Sequence, residues 1–147
     1  MDVRIRKLRD DAIQPTYGTT GAACFDLYVP AYAGEYWLQP GDSATVSTGM
    51  AFEVPEGHVM LVFSRSGHGF NFDTRLANCV GVIDSDYRGE VMVKLTRDRE
   101  YGEELCVCGG DRIAQAMVVP FPRVTFLEVG GLSMTERGTG GFGSTGA

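Results

Sequence analysis

Residues 78 to 93 read NCVGVIDSDYRGEVMV, in which two apolar segments flank a polar turn. Val91, Val93 and Leu95 are apolar residues at every second position, and a period of two is typical of a strand with one buried face. The turn is rich in Asp and Gly, which favour tight reversals of the chain. We therefore predict a β-hairpin with residues 84 to 88 near its tip.

The same alternation recurs before this segment, in residues 25–29, 44–46 and 50–54, with turn signals between them. Residues 59–63 are apolar on both faces, which predicts a central strand covered on each side. Only the stretch after Ser66 could hold a short helix, with Ser66 as its N-cap. The pattern predicts an all-β barrel or sandwich with at most one short helix.

Length and composition fit one globular domain. The chain has 147 residues, 44% hydrophobic and 22% charged, and its 20 glycines favour a turn-rich β architecture. No apolar run is long enough to cross a membrane, and residues 1–7 lack the apolar stretch of a secretory signal, so we expect a cytoplasmic protein. The net charge of −6 argues against a nucleic-acid binder that uses a broad basic surface.

The four cysteines follow no CxxC spacing, and with two histidines they do not complete a credible tetrahedral zinc set. We expect reduced, mostly buried thiols. Cys106 and Cys108 are two residues apart, so on a strand they would share one face.

Several polar residues are candidates for chemistry, each with a simpler structural explanation. Asp84 could be a general base or only a turn former. Arg65-Ser66-Gly67 could bind phosphate or be a surface arginine and a helix cap. Asp26 stands among apolar neighbours and needs a partner, whereas Asp111 and Arg112 could be an exposed pair of little energetic value.

The last segment, residues 137–146, has five glycines in ten residues. Such a segment makes no core of its own. It is either a frayed end or a mobile flap whose amides close over phosphates.

Taken together, five segments resemble the homotrimeric dUTPase family in order and spacing: residues 22–27, 65–67, 81–89, 110–115 and 137–146. The resemblance implies a jelly-roll-like β-barrel domain over residues 1–136, a Gly-rich arm over 137–147 that closes over the active site, and a homotrimer with shared sites. It also implies hydrolysis of dUTP to dUMP and pyrophosphate with Mg²⁺, which keeps uracil out of DNA and supplies dUMP for dTMP synthesis. Ser64, where the family often has proline, and residues 68–70 depart from its pattern.

By that resemblance, Asp84 would activate the water that attacks the α-phosphate. Asn78, Gly81, Val82 and Ile83 would bind uracil, and Tyr87 would lie against the deoxyribose. The phosphates would be held by Arg65, Ser66, Gly67 and Gln115. Met92 would form a wall of the substrate pocket, and Asp26 would contact the metal indirectly, through water. The arm would close over the site through Arg137, Phe142, Gly143, Ser144 and Thr145.

Two other functions remain open. The related dCTP deaminases place a second serine after the Arg-Ser pair, whereas Gly67 follows Ser66 here. A nucleotide-sensing interaction protein is the second alternative, although such a role would more readily be added to hydrolysis, since a protein that only binds should have lost Asp84.

Overall fold

The fold is all-β with one short helix, as predicted. The computed structural model describes residues 1–98 and 102–144. In chain order its elements are β1 (Arg4–Lys7), β2 (Thr16–Tyr17), β3 (Phe25–Tyr28), β4 (Glu35–Leu38), β5 (Ser43–Glu53), β6 (His58–Phe63), α1 (Ser66–Phe72), β7 (Thr74–Leu76), β8 (Val80–Ile83), β9 (Glu90–Arg97), β10 (Leu105–Cys108) and β11 (Arg112–Pro120).

The strands form three antiparallel sheets. One has the order β1-β5-β9-β7, a second pairs β10 with β4, and the third has the order β2-β3-β11-β6-β8. Among the described residues, no strand pairing joins one sheet to another, so the expected barrel is not found as a closed, hydrogen-bonded structure.

A single hydrophobic core joins the three sheets through side chains. Val93 of β9, Met60 of β6 and Val107 of β10 belong to the same buried cluster. In β9 the predicted alternation is confirmed, because Val93 is buried while its neighbours Met92 and Lys94 are exposed. No helix within residues 1–98 and 102–144 is long and apolar enough to span a membrane.

The predicted hairpin over residues 78–93 is wrong. Both of its strands exist, but β8 pairs with β6 and β9 pairs with β5 and β7. Period-two alternation identifies a strand without identifying its partner. Residues 84–89 therefore connect two different sheets.

Strand β6 is central, as predicted, between β11 and β8. It is covered on one face only: Met60 and Val62 are buried, whereas Val59, Leu61 and Phe63 are partly exposed. The second face of this apolar strand has no complete cover within the described part of the chain.

The short helix α1 follows β6, but its N-cap is Arg65 and not Ser66. Arg65 has an extended backbone and makes no side-chain capping hydrogen bond. Its carbonyl accepts a hydrogen bond from the Gly69 N–H at 3.1 Å, which makes Ser66 the first helical residue. The helix ends at Phe72 and its C-cap is Asp73, whose φ of 48° lies in the left-handed region.

Candidate functional site

A cavity of about 470 Å³ lies between β8 and β9. Its lining includes five residues that the sequence analysis assigned to substrate binding: Asn78, Gly81, Val82, Ile83 and Met92. Lys94 also lines this β8–β9 cavity and was missed. Its position on the Met92 face of β9 could have indicated it, because residues two apart on a strand share a face.

Strand β8 is the last strand in the order of its sheet. One edge of β8 bonds to β6, so the backbone N–H and C=O groups of the other edge are available to a ligand. Gly81 allows the close approach to β6, since a Cβ there would lie 3.1 Å from Cβ of Val62. The cavity is thus walled by fixed backbone polar groups on one side.

The turn before β8 is tight. Cys79 has a φ of 62°, and the Asn78 side-chain amide donates to the carbonyl of Val80 at 3.2 Å. These contacts fix Asn78 at the start of the cavity wall.

Asp84 follows Ile83 directly and is exposed. Its backbone carbonyl accepts from the N–H of Tyr87 at 3.2 Å. Within the ranges that the structure covers, its carboxylate makes no hydrogen bond or ion pair, so Asp84 does not form the turn through its side chain. The carboxylate is free to receive a ligand or a water molecule.

Tyr87 is held against the backbone that follows it. Its hydroxyl donates to the carbonyl of Glu90 at 2.9 Å. A Cβ at Gly89 would lie 2.4 Å from the Tyr87 hydroxyl oxygen, so only glycine leaves room for this ring. The Glu90 carboxylate in turn accepts from the N–H of Gly49 at 2.7 Å, which anchors the start of β9 to β5.

A second cluster surrounds Asp26, which has the partners that the sequence analysis required. Its carboxylate accepts from Nε of Arg65 at 3.2 Å and from Nη1 of Arg112 at 3.3 Å. Arg65 also donates to the Arg112 carbonyl at 3.2 Å. The Asp26 side chain is 13% exposed, so these contacts are partly shielded from water.

Asp111 and Arg112 do not form the exposed pair that was the simpler structural explanation for them. Arg112 joins Asp26, while the carboxylate of Asp111 accepts from the Cys108 N–H at 2.8 Å. Asp111 precedes β11 and its carboxylate is engaged by the turn before that strand, so proximity in sequence does not make it the partner of Arg112.

Gln115, on β11, lies in register with both Asp26 and Phe63. Its side-chain amide donates to the carbonyl of Ser64 at 2.9 Å. The hydroxyl of Ser64 accepts from the N–H of Leu76 at 2.9 Å, which ties the segment before α1 to β7. Arg65 and Gln115 therefore meet at the end of β6, where Ser66 and Gly67 begin α1.

His68 lies on α1 three residues after Arg65. Burial, together with the charge of Arg65, lowers the pKa of His68 below its ordinary value, with Asp111 opposing. Its Nδ1 atom is buried and has no hydrogen-bond partner in the described part of the protein. These surroundings therefore favour the neutral form of the imidazole beside the arginine cluster.

Arg65 and Asp84 are not brought together within one chain. β8 runs antiparallel to β6, with Phe63 opposite Val80 and Met60 opposite Ile83. Extending this register places Asp84 beside Val59, six residues before Arg65, a separation of about 20 Å at the rise of a strand.

Within the described residues, the C-terminal segment makes no hydrogen bond or ion pair with either cluster. No strand or helix forms between residues 121 and 144, and Phe142 is fully exposed. Arg137 donates to the carbonyl of Gly140 at 2.8 Å, a contact within the segment. Gly143 and Ser144 belong to the same exposed turn, and Thr145 lies outside the described residues.

Comparisons with known proteins agree with this arrangement. A dUTPase family model matches residues 10–146. The deoxyuridine 5'-triphosphate nucleotidohydrolase of Anaplasma marginale is 43% identical over 133 residues, covering 90% of this chain and 88% of the relative. The protein of that name from Nautilia profundicola is 40% identical over 146 residues, covering 99% of both chains.

A solved structure gives the same result. The Staphylococcus bacteriophage 80alpha dUTPase with dUPNHPP has a TM-score of 0.85 and 26% identity, and the match covers 99% of both chains. The predicted resemblance is confirmed, and this chain belongs to the dUTPase family.

Proposed function

We propose that the protein hydrolyses dUTP to dUMP and pyrophosphate, by attack of a water molecule activated by Asp84 on the α-phosphate. The observation that carries this proposal is the Asp84 carboxylate, which has no partner among the described residues and follows an edge strand whose backbone walls the β8–β9 cavity. Water is a poor nucleophile near neutral pH, and a positioned base contributes about a hundredfold to ten-thousandfold.

The uracil ring would bind along β8. Uracil presents one N–H donor between two carbonyl acceptors, and the free backbone edge of Gly81, Val82 and Ile83 with the amide of Asn78 can match that pattern. Cytosine reverses part of it and would leave buried polar groups unpaired. Met92 would close the opposite side, on β9.

Selection for deoxyribose would fall to Tyr87. Because its hydroxyl is bonded to the Glu90 carbonyl and its ring lies over Gly89, the side chain cannot easily withdraw. A ribose 2′-hydroxyl against this ring would meet a fixed wall, so UTP would be rejected.

The phosphates would be held by Arg65, Ser66, Gly67 and Gln115. Asp26 orients the Arg65 guanidinium, whose planar donors suit phosphate oxygens. A preorganised arginine loses less conformational entropy when phosphate binds.

The residues fit a Mg²⁺ ion that arrives on the triphosphate. Both carboxylate oxygens of Asp26 already accept from arginines, so we assign Asp26 only a contact through water. Mg²⁺ keeps several waters and commonly binds through substrate phosphates. When bound, the ion would neutralise charge on the phosphate oxygens.

The complete site would be built from more than one subunit. Asp84 and Arg65 leave opposite ends of the β6–β8 pair, so the Arg65 cluster that serves a given Asp84 would come from a neighbouring chain. A homotrimeric barrel assembly would also cover the half-exposed face of β6. The arm, residues 137–147, would then close over a neighbour's pocket, with Phe142 stacked on uracil and Arg137, Gly143 and Ser144 at the γ-phosphate.

The enzyme would act in the cytoplasm on free nucleotides, where it would keep uracil out of DNA and supply dUMP for dTMP synthesis.

The test is to offer purified protein dUTP, dCTP, dTTP and UTP with Mg²⁺ and to follow pyrophosphate release. We expect rapid release from dUTP alone. Ammonia released from dCTP, or comparable turnover of UTP, would overturn the proposal.

A further inference from the structure

The two-stranded sheet of β4 and β10 carries a group of metal-binding side chains on its outer face. The register places Cys108 opposite Glu35 and Cys106 opposite Trp37. Leu105 and Val107, the intervening residues of β10, are buried in the core. Since successive side chains of a strand alternate between faces, both cysteines point away from the core.

All four cysteines are free thiols, as predicted, but they are not mostly buried: Cys79 is exposed, and Cys24, Cys106 and Cys108 are partly exposed. The prediction of burial failed because a cysteine pair at period two fits either face of a strand. Cys106 and Cys108 share one face, as expected, and their sulfur atoms lie 2.7 Å apart.

Glu35 supplies a third ligand atom. One carboxylate oxygen of Glu35 and the two sulfur atoms all lie within 4.8 Å of one another. Glu35 lies on β4 and the cysteines lie on β10, so the spacing of the cysteines alone did not indicate Glu35 as a ligand. The sequence analysis considered only cysteines and histidines as zinc ligands, and it found no complete set because it did not include this carboxylate.

Neighbouring contacts hold these ligands in place. The indole N–H of Trp37 donates to Oε2 of Glu35 at 3.0 Å, a contact of the kind that orients metal-binding carboxylates. The Cys108 backbone N–H donates to the Asp111 carboxylate at 2.8 Å. A Cβ at Gly109 would lie 2.4 Å from the carbonyl oxygen of Ala31, so the turn after Cys108 packs closely and has little freedom.

We propose that Cys106, Cys108 and Glu35 form a binding site for one thiophilic divalent cation of the Zn²⁺ class. Zn²⁺ accepts two thiolates and a carboxylate with a water molecule as fourth ligand, at Zn–S distances of about 2.3 Å. The sulfur atoms would move apart to about 3.8 Å, the edge of a tetrahedron with those bonds. Mg²⁺ prefers oxygen ligands and would not compete here.

The test uses the full-length protein, reduced, freed of metal with a chelator and kept without oxygen. Zn²⁺ alone is added in competition with a chromophoric chelator, and Cd²⁺ is added separately to detect thiolate-to-metal charge-transfer absorption. Trp37 is the chain's one tryptophan, so its fluorescence reports directly on the Glu35 contact. We expect one ion per chain, a change in Trp37 emission at the same stoichiometry, and no displacement by excess Mg²⁺.

Variants separate the proposed ligands from the other thiols. We expect Cys106→Ser and Cys108→Ser to lose more affinity than the roughly 10–100-fold typical of an outer-shell change. Glu35→Gln should weaken binding and abolish the fluorescence change. Cys24→Ser, which removes a partly exposed thiol elsewhere, should bind Zn²⁺ as the parent does, and thermal unfolding checks that each variant folds.

Four results would overturn the proposal. The first three are no stoichiometric Zn²⁺ binding by the reduced parent, equal binding by the Cys106→Ser/Cys108→Ser double variant, and displacement of Zn²⁺ by Mg²⁺. A Cys106–Cys108 disulfide that persists under reduction and excludes the ion would also overturn it. Thiol titration of the same samples identifies that case.

Discussion

Arg65 and Asp84 lie at opposite ends of the antiparallel strands β6 and β8. The pairing of Phe63 with Val80 and of Met60 with Ile83 fixes this relationship. An arginine side chain does not bridge about 20 Å of strand, so one chain cannot present both residues to the same α-phosphate. This separation is the structural basis for our proposal that each site is shared between subunits.

Complementation between two inactive variants tests shared sites. We expect Arg65→Ala and Asp84→Asn each to lose activity, and co-assembly to restore it, because a hybrid trimer can join the intact Asp84 of one chain to the intact Arg65 of another. Every hybrid trimer, whichever variant supplies two of its chains, should hold one intact site of its three, about a third of the parent's sites. The measurement is pyrophosphate release after the differently tagged chains are co-expressed and the hybrids purified. If the hybrids are no more active than the parents, the site is not shared in this way.

Loss of the base should affect turnover more than binding. We expect Asp84→Asn to lower kcat by about a hundredfold to ten-thousandfold, because the amide cannot take the proton from water. Binding of a non-hydrolysable dUTP analogue, followed by calorimetry, should remain. Asp86→Asn is the matched control, since Asp86 is also exposed in the same connection. Equal decreases of kcat in Asp84→Asn and Asp86→Asn would contradict the assignment of Asp84 as the base.

The period of the apolar residues was enough to predict the strands, but it was not enough to predict their partners. Val91 and Val93 identified β9 correctly, while the pairing of β8 with β6 depends on contacts distant in the chain. Similarly, the need of Asp26 for a partner was evident from its apolar neighbours, but Arg112, which lies 86 residues away, could not be identified as that partner. The residues next to Asp26 in the sequence show that its carboxylate needs a hydrogen-bonding partner. Only tertiary packing decides which side chain is that partner.

Removing the carboxylate that holds the two arginines should affect both stability and phosphate binding. We expect Asp26→Asn to cost about 1–3 kcal/mol in the free energy of unfolding, because Arg65 and Arg112 lose a partly buried charged acceptor. KM for dUTP should rise as Arg65 loses its orientation. Denaturant unfolding and steady-state kinetics measure the two effects.

Asp98→Asn is the control for this substitution. Asp98 also pairs with an arginine, Arg75, but both side chains are largely exposed, at 51% and 43%. Exposed pairs typically contribute less than about 1 kcal/mol. If Asp98→Asn loses as much free energy of unfolding as Asp26→Asn, burial is not the reason that the Asp26 contacts stabilise the protein.

Stability should depend on pH through His68. Burial and the charge of Arg65 lower the native pKa of His68 below 6.5, with Asp111 opposing, so the unfolded chain binds the proton more readily. The contribution of His68 is present above pH 6.5 and is lost as the pH falls towards the lowered native pKa. We expect the free energy of unfolding of the parent to fall in this window with a slope that exceeds that of His68→Gln by up to about 1.4 kcal/mol per pH unit. Parallel slopes in urea unfolding would show that His68 is not the group responsible.

Removal of the arm should abolish turnover without affecting the fold. Phe142 is fully exposed, and within the described residues the Arg137 side chain hydrogen-bonds only to Gly140 of its own segment, so a chain that ends at Glu136 should unfold within about 0.5 kcal/mol of the parent. Its hydrolysis of dUTP should fall strongly, because an arm that stacks on uracil and caps the γ-phosphate excludes water from the reacting groups.

Phe142→Ala should mainly raise KM, since it removes the stacking surface and leaves the backbone of Gly143 and Ser144 in place. If the shortened chain turns over dUTP as the parent does, the arm is only a frayed end. A large loss of stability would contradict the expectation that the arm contributes to turnover and not to the fold.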